Sequence, residues 1–393
     1  MAPPKSCAVP AAPGIGGILP LDALYEILLR LPAKPLCRLR AVCRVWRSLL
    51  SDPQFAAAHA VRHPGPLIIA GYAKNVRDDM IIVDIMDQSW EIVKQVRGGI
   101  GGRNEVISMD FDLVCVRNID SGIYWFLNPA TGAAYHLPSG FADEHMALSS
   151  SLSEAKYILG QVPSTGEYKV LRMFFHLLSY DHGCLLFEAC TLNSCPSNNS
   201  GWRRKEGPGE AISCNRFTSL VIDGIVYLLC LDLHLSITFH SQVFEKDFII
   251  TFDLKTEVWG PRIPGPPISF PNNAARMFHN LGLPRIKQLS LAKLHGSLAI
   301  VHGPAPFMDI WILMDFDKRQ WVKQYVIQFE QYSRFKYVHP LLVLGDGRII
   351  IHKEDNGLLQ IYDPRANNFT NSVELTHYST VNMYTRNILS LDK

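Results

Sequence analysis

The chain has 393 residues, with 38 lysines and arginines against 36 aspartates and glutamates, and an apolar fraction of 48%. This length allows one large domain or two beside a small unit, and the near-zero net charge excludes a general attraction to nucleic acid or membranes. The nine cysteines include no Cys-x-x-Cys pair, which indicates reduced thiols in the cytoplasm or nucleus rather than a disulfide framework.

Residues 1–17 are rich in Pro, Ala and Gly, and their prolines and glycines interrupt every apolar run. This composition predicts a disordered tail rather than a signal peptide. No later stretch is long and apolar enough to span a bilayer, so we expect no membrane partner.

Helical periodicity occupies residues 18–63. The first predicted helix has one apolar stripe at positions i, i+3, i+4 and i+7, formed by Leu24, Ile27, Leu28 and Leu31. Pro32 ends this helix, because the residue before a proline is pushed out of the α region.

Pro35 suits the first turn of a second helix, which continues across a bend near Val42. Pro53 follows Asp52 and opens a further short helix that carries Phe55. These signals predict a compact three-helix unit of about 40 residues, which is small for an independent core. Its surplus apolar residues indicate either a protein partner or docking on the rest of the chain.

Cationic residues dominate the same unit between Glu26 and Asp52, where no acidic residue occurs: Arg30, Lys34, Arg38, Arg40, Arg44 and Arg47. Such a run forms a solvated basic face, or it binds nucleic acid or an acidic protein. Interleaving with leucine and tryptophan at helical spacing favours a protein partner.

The order of these residues resembles the F-box of plant F-box proteins. The resemblance is carried by Leu19-Pro20, Asp22, Glu26-Ile27-Leu28, Arg30-Leu31-Pro32, Leu36-Cys37-Arg38, Val42-Cys43-Arg44, Trp46-Arg47, Leu49 and Asp52-Pro53-Gln54-Phe55. The chain departs from the family at Leu39-Arg40-Ala41, where an aromatic residue between two arginines is more usual.

The resemblance implies binding to the Skp adaptor of a cullin–RING ubiquitin ligase. The adaptor-binding residues that it implies are Leu19, Pro20, Leu28, Leu31, Pro32, Leu36, Leu39, Val42 and Trp46. The sequence does not separate those that face the adaptor from those that fill the unit's own core.

Beyond residue 64 the pattern changes to short apolar or alternating runs separated by turn residues, which predicts strands. Such runs begin at Leu67, Met80, Ile123, Leu220, Ile225, Phe248, Ile310 and Arg348.

Two internal repeats organise this region. In the first, a strand ends in Asp or Asn and an aromatic follows a polar turn: Asp84 with Trp90, Asn128 with Tyr135, Asp253 with Trp259, Asp315 with Trp321 and Asp363 with Phe369. Gly201-Trp202 ends a sixth, degraded unit. In the second repeat, apolar residues flank a tight glycine turn at Gly224, Gly296 and Gly347.

The recurrence of these signals is typical of four-stranded propeller blades, with the aromatic packed between blades. We therefore predict an α+β chain with a small helical unit and an all-β propeller of six blades, or seven. An irregular β-sandwich is the alternative architecture.

The repeats also resemble the F-box-associated domain that follows plant F-boxes. The resemblance is carried by segments 127–132, 163–170, 252–259, 309–315 with Trp321, and 361–364. It implies a target-binding domain over residues 64–393 with no fixed substrate.

Three constellations are weak candidates for chemistry. Residues 98–103 are rich in glycine but lack the following Lys-Ser/Thr and helix of a phosphate loop, so we interpret them as a mobile loop. Cys184, Cys190 and Cys195 fit no zinc spacing, and His176 and His182, with Asp181 between them, have no visible third ligand at a helpful spacing. We therefore predict no cofactor, no metal and no catalytic residue.

The favoured hypothesis is a non-catalytic substrate receptor of a Skp–cullin–F-box ubiquitin ligase, which binds an unknown target protein. The alternatives are an F-box scaffold that acts without degradation, and a propeller enzyme or carbohydrate binder with an incidental helical cap. Target-binding loops are sought by length in segments 193–210, 231–247 and 261–284.

Overall fold

The computed structural model contains two compact units, Met1–Gly65 with Asn387–Lys393, and Pro66–Arg386. The structure describes residues 20–63, 65–73, 79–87, 89–110, 112–138, 140–146, 155–179, 182–192, 201–209, 212, 217–230, 248–268, 289–303, 307–329, 338–353 and 357–384. The predicted tail, residues 1–17, and Leu19 lie outside these ranges. In the described part, no helix has the length and apolarity needed to cross a membrane.

The helical unit contains four helices, α1 (Leu21–Leu29), α2 (Ala33–Leu39), α3 (Arg44–Leu50) and α4 (Pro53–Arg62). The predicted bend near Val42 is a complete break, because Cys43 is extended and its sulfur accepts the N–H of Trp46 as the N-cap of α3. Asp52 caps α4 in the same way, accepting the N–H of Gln54 at 2.7 Å.

The core of the helical unit is formed by Leu28, Leu29, Leu36, Leu50, Phe55 and Ala56. The prediction that Ile27 belongs to the buried stripe is wrong, since its side chain is 45% exposed and Leu29 is buried instead. Tyr25, one turn before Leu29 on α1, packs edge-on against Phe55 of α4, with ring centroids 5.1 Å apart.

Two histidines of α4 and its C-cap hold the end of α1. The Nε2 atoms of His59 and His63 lie 2.9 Å from the carbonyl oxygens of Leu31 and Leu29. A carbonyl oxygen only accepts, so both histidines donate to groups that a helix end leaves unpaired. Burial lowers the pKa of His59, partly offset by its hydrogen bond to Leu31.

The second unit contains six antiparallel sheets, which confirms the propeller with six blades. Blade 1 contains β1 (Leu67–Ala73), β2 (Ile81–Met86) and β3 (Ile92–Gly98); blade 2 contains β4 (Asn104–Asp110), β5 (Leu113–Asn118), β6 (Tyr124–Leu127) and β7 (Ala134–His136); blade 3 contains β8 (Lys156–Gln161), β9 (Tyr168–Ser179), β10 (His182–Thr191) and β11 (Arg203–Lys205).

Blades 4–6 continue the ring in chain order. Blade 4 contains β12 (Ser219–Ile222), β13 (Ile225–Leu229), β14 (Phe248–Asp253), β15 (Val258–Trp259) and β16 (Ile263–Pro264); blade 5 contains β17 (Leu289–Leu294), β18 (Ser297–His302), β19 (Phe307–Asp315) and β20 (Gln320–Gln328); blade 6 contains β21 (Val338–Val343), β22 (Ile349–Lys353), β23 (Leu358–Asp363) and β24 (Asn368–Glu374). Each run predicted as a strand coincides with one of these elements, although Met80, Ile123 and Arg348 lie one residue before theirs.

The last strand closes the ring by completing the first blade. Strand β25 (Thr380–Tyr384) pairs antiparallel with β1. Just before it, the N–H of Ser379 donates to Gly71 O at 2.9 Å, and the Tyr378 hydroxyl donates to buried Asp84 at 2.6 Å. The first and last strands of the domain therefore stabilise each other within one blade.

The predicted turns fixed by Asp or Asn are confirmed in four of the five repeats. Asn128, Asp253, Asp315 and Asp363 each accept a backbone N–H from two or three residues further on. The first repeat differs: Asp84 lies inside β2, and Asp87 forms the turn by accepting the N–H of Ser89 and Glu91. The prediction for Asp84 is therefore wrong by three residues.

The aromatic repeat links neighbouring blades, as predicted. A tryptophan at or beside an outermost strand donates its indole N–H to a backbone oxygen of the preceding blade: Trp202 to Pro138 (2.9 Å), Trp259 to Glu206 (2.6 Å) and Trp321 to Pro264 (2.9 Å). Trp202 therefore belongs to the repeat, as its degraded signature suggested.

The predicted glycine turns join the first and second strands of their blades. Both central residues have positive φ in Asp223–Gly224 (49° and 81°) and His295–Gly296 (51° and 77°). This is the type I′ geometry that matches the twist of a two-residue hairpin.

The antiparallel order gives the propeller two different faces. Connections between first and second and between third and fourth strands form the turn face, which includes residues 162–167, 223–224, 254–257, 295–296, 316–319, 344–348 and 364–367. Connections between second and third strands and between blades form the loop face, which includes residues 79–80, 99–103, 119–123, 140–146, 206–209, 265–268 and 375–379.

Two of the three segments selected by length contain strands. Strand β11 interrupts 193–210, and β16 interrupts 261–284. Residues 193–200, 210, 231–247 and 269–284 lie outside the part of the chain that the structure describes.

Candidate functional site

The predicted adaptor-binding residues divide into three groups by burial. Pro20, Pro32 and Val42 are exposed, and Leu31, Leu39 and Trp46 are half-buried. Leu28 and Leu36 are 1% and 0% exposed and belong to the core of the helical unit. Both leucines support the surface residues from the core. Contact of the predicted residues with the adaptor stays a prediction.

The structure adds apolar residues that the prediction missed. Leu21 is 60%, Ile27 45% and Val45 45% exposed, beside Val42 at 62%. Sequence pattern gave no signal for them, because an exposed apolar residue on a helix follows the same spacing as a buried one. We call Pro20, Leu21, Ile27, Pro32, Val42 and Val45 the exposed apolar set.

Uncompensated positive charge accompanies this set. The side chains of Arg30, Arg38, Arg44 and Arg47 are exposed, and none forms an ion pair with another described residue. An ion pair on α1 and α4 joins Glu26 to Arg62 at 3.0 Å. A surface with apolar and cationic residues fits an apolar pocket with an acidic rim.

A buried ionic cluster lies in blade 3, at the loop face. Glu188 is fully buried and accepts hydrogen bonds from Arg172 Nε (2.7 Å), His145 Nδ1 (2.6 Å) and the N–H of Ala142 (2.9 Å). The Arg172 guanidinium also lies 3.7 Å from the centroid of the Trp202 ring. These groups satisfy one another, so the cluster fixes residues 140–146 rather than offering a catalytic base.

A second ionic cluster joins blades 3 and 4 at the turn face. Glu257 receives Lys169 Nζ at 2.9 Å and Lys205 Nζ at 2.6 Å, and it pairs with Arg203. Burial raises the pKa of Glu257, but hydrogen bonds from Arg203, Lys205 and Lys169 outweigh it and bring the pKa to about 2.

The lowered pKa of Glu257 predicts that the junction of blades 3 and 4 loses stability in acid. A folded-state pKa below the unfolded value of 4.5 stabilises the protein above pH 4.5, and the gain is lost as the pH falls toward 2. We expect Glu257→Gln to lower the free energy of unfolding by roughly 2–3 kcal/mol at pH 7. Denaturant titrations of both proteins should show the difference shrinking below pH 5; a constant difference would contradict the assignment.

Buried thiols do not provide a nucleophile. Burial raises the pKa of Cys190 and of Cys230 to about 12, and that of Cys115 further. A thiol must ionise to accept ubiquitin as a thioester, so these three do not serve. Among the described residues, no group of His, Cys, Asp and Glu could hold a metal ion; Asp181 and Cys195 lie outside them.

Comparison with known families matches both units. A model of the F-box domain matches residues 18–57, and a model of the F-box associated beta propeller domain matches residues 86–387, more than half of the chain. The chain belongs to the F-box-associated β-propeller family. Its helical unit is the F-box, and the six-bladed propeller is the associated domain.

Relatives of this F-box protein cover most of its length. F-box protein CPR1 of Arabidopsis thaliana is 25% identical over 355 residues, covering 88% of this chain and 82% of that protein. F-box protein At3g07870 of the same plant is 23% identical over 403 residues, covering 91% and 88%. Among solved structures, a chain of a nidogen–laminin complex aligns with 81% of this chain and 98% of its own at TM-score 0.40 and 10% identity, too distant to bear on function.

Proposed function

We propose that this F-box protein is a non-catalytic substrate receptor of a Skp–cullin–F-box ubiquitin ligase, acting in the cytoplasm or nucleus. The F-box binds the Skp adaptor, and the propeller holds a target protein. Proximity is then its contribution, because a held target presents its lysines at a high effective concentration.

The observation that carries the proposal is the exposed apolar set of the F-box. Burial of one exposed apolar side chain by a partner contributes roughly 1.5 kcal/mol or more to the free energy of binding. Val42 and Val45 flank the start of α3, next to exposed Arg44. The adaptor surface that fits them has an apolar pocket and acidic surroundings.

The test replaces both valines by aspartate. We expect Val42→Asp/Val45→Asp to weaken adaptor binding roughly 100-fold, since two apolar contacts are lost. Aspartate in the first turn of α3 is favourable for the helix dipole, so the helix should remain folded. Co-expression with a Skp adaptor and size-exclusion chromatography measures the complex, and titration calorimetry gives the affinity.

Val61→Asp is the matched control. Val61 is 83% exposed on α4 of the same unit and lies outside the exposed apolar set. Its substitution should leave the complex intact. If the wild type forms no complex, or if both variants bind equally well, the adaptor assignment is wrong.

A cullin added to the same complex separates the receptor from the scaffold. A receptor should recruit the cullin through the adaptor and transfer ubiquitin to a bound target when the ligase is reconstituted. An adaptor complex that never recruits cullin would favour the scaffold that acts without degradation.

A further inference from the structure

The glycine-rich segment between β3 and β4 lies on the loop face, where blades 1 and 2 meet. It is fixed in place, contrary to its interpretation as a mobile loop. Asn104 Nδ2 lies 2.9 Å from Ile100 O, 2.8 Å from Gly102 O and 2.8 Å from Asp79 O. Asn118 Nδ2 donates to Gly101 O at 2.9 Å.

These hydrogen bonds use the carbonyl oxygens of the segment but not its N–H groups. Both asparagines are 2% exposed, so the carbonyl groups of residues 100–102 are turned toward the interior. The backbone N–H groups of Ile100, Gly101 and Gly102 have no acceptor in the described part of the chain. The segment therefore offers hydrogen-bond donors and few acceptors to a partner.

Exposed apolar residues lie in the two connections that adjoin this donor segment. Met80 is 45% exposed in the adjoining connection of blade 1, and Ile119 and Ile123 are 39% and 40% exposed in that of blade 2. The N–H of Ile119 donates to Arg103 O at 2.7 Å, which joins the connections. No heavy atom lies within 4 Å of a Cβ built on Gly101, so the centre is open.

We call Met80, residues 99–103, Ile119 and Ile123 the platform; its charged side chain, that of Arg103, is paired with Asp120, and exposed Asp79 lies beside Met80. Arg103 donates to Asp120 through its backbone N–H at 2.7 Å and through Nε at 2.8 Å. These hydrogen bonds and the Arg103 charge lower the pKa of Asp120, which keeps the pair ionised and mutually neutralised. The pairing leaves Arg103 unavailable to an anionic partner, whereas an uncharged segment meets donors and apolar groups.

We propose that this platform binds an extended, uncharged and apolar segment of the target protein. Backbone carbonyls of that segment accept from the N–H groups of residues 100–102, and alternate side chains pack on Met80, Ile119 and Ile123. The proposal rests on the receptor function proposed above and names the chemistry of its target site. An extended segment fits because its successive carbonyls and side chains point in opposite directions.

The test selects ligands from a phage-displayed library of random peptides on the purified full-length protein. We expect enriched peptides to be uncharged, with apolar residues at alternate positions. Gly101→Glu should weaken their binding at least tenfold, because it places a charge and a side chain in the centre of the platform. Fluorescence anisotropy of labelled peptides gives the affinities.

Gly345→Glu is the matched control on the turn face. Gly345 also has open space around its Cβ position, and neither glycine has a positive φ, so both substitutions should be tolerated. This variant should bind the selected peptides as the wild type does.

Three results would contradict peptide binding by the platform: no enriched peptide, enrichment of acidic or basic peptides, or an equal loss of peptide affinity in both variants. Dimerisation of the wild type that Gly101→Glu abolishes would assign the platform to a second copy instead. Adaptor binding is measured separately on the same proteins. Its absence would refute the receptor function, while peptide binding would still report on the platform.

Discussion

Replacing Glu188 by glutamine is expected to lower the free energy of unfolding of the propeller by about 3–5 kcal/mol. The substitution keeps the shape of the side chain and removes its charge. Arg172 is then left with a buried guanidinium, its side chain 5% exposed, and without its counter-ion. Leaving one charge of a buried pair unpaired costs more than the pair contributes.

The surroundings of Arg172 cannot replace the carboxylate. Its guanidinium lies 3.7 Å from the Trp202 ring centroid and 4.9 Å from that of Phe141. Ring faces attract a cation, but each such contact contributes about 1–2 kcal/mol. Gly140 O accepts from Nη2 at 2.7 Å and the Tyr157 hydroxyl is also hydrogen-bonded to Arg172, but neither group is charged at neutral pH.

Glutamine also mismatches the other donors. Glu188 Oε1 accepts from the Ala142 N–H and from His145 Nδ1. An amide has one acceptor oxygen and two N–H donors, so at least one donor of the cluster then faces another donor. We therefore expect residues 140–146 to detach from blade 3 before the rest of the domain unfolds.

Denaturant unfolding followed by tryptophan fluorescence measures the loss. Glu105→Gln is the matched control, because Glu105 pairs with Arg117 at 2.7 Å while its side chain is 43% exposed. An exposed ion pair contributes about 1 kcal/mol or less. Equal losses in the two variants would show that burial of the Glu188 cluster does not matter for stability.

The repeating parts of the fold could be predicted because their causes are local. Type I′ turns need positive φ at two adjacent residues, and Asp223–Gly224 supplies them within the hairpin itself. Asp253 likewise fixes its turn by accepting the N–H of Lys255, two residues away. Signals that join residues only one or two positions apart can be recognised in the sequence alone.

The ionic clusters could not be predicted, because their members meet only when segments far apart in sequence pack together. Glu188 lies 43 residues from His145, and Glu257 lies 88 residues from Lys169. Nothing in the spacing of such residues marks them as partners. The same reason explains Asp84: its partner Tyr378 is 294 residues away, so its proximity to Trp90 in sequence was misleading.

The F-box could be recognised, but its core and surface could not be separated. Leu36 and Val42 both lie in the motif, yet Leu36 is fully buried and Val42 is 62% exposed. In a complex both would be hidden from water, so selection for apolar character acts on both. They differ in the folded unit alone, where Leu36 packs with Leu28, Leu50 and Phe55 in one core.

Leu36→Ala is therefore expected to abolish adaptor binding by unfolding the F-box, although Leu36 presents no surface to a partner. Truncating a fully buried leucine costs about 2–5 kcal/mol. A helical unit of this size has little stability in reserve. The propeller, which has cores of its own between its blades, should remain folded.

Hydrogen exchange measured by mass spectrometry on the full chain distinguishes this effect from a lost contact. Leu36→Ala should remove the protection of α1–α4 and leave that of the propeller strands unchanged. Val42→Ala, the matched surface variant, should keep the protection of the helices and weaken adaptor binding by about tenfold, because it removes a contact and no core. A charged residue at Leu36 would not distinguish unfolding of the F-box from the loss of a surface contact. Substitutions in the exposed apolar set test the surface contact alone. If Leu36→Ala leaves the helices protected and still prevents binding, Leu36 contacts the adaptor directly, and the F-box must open to receive it.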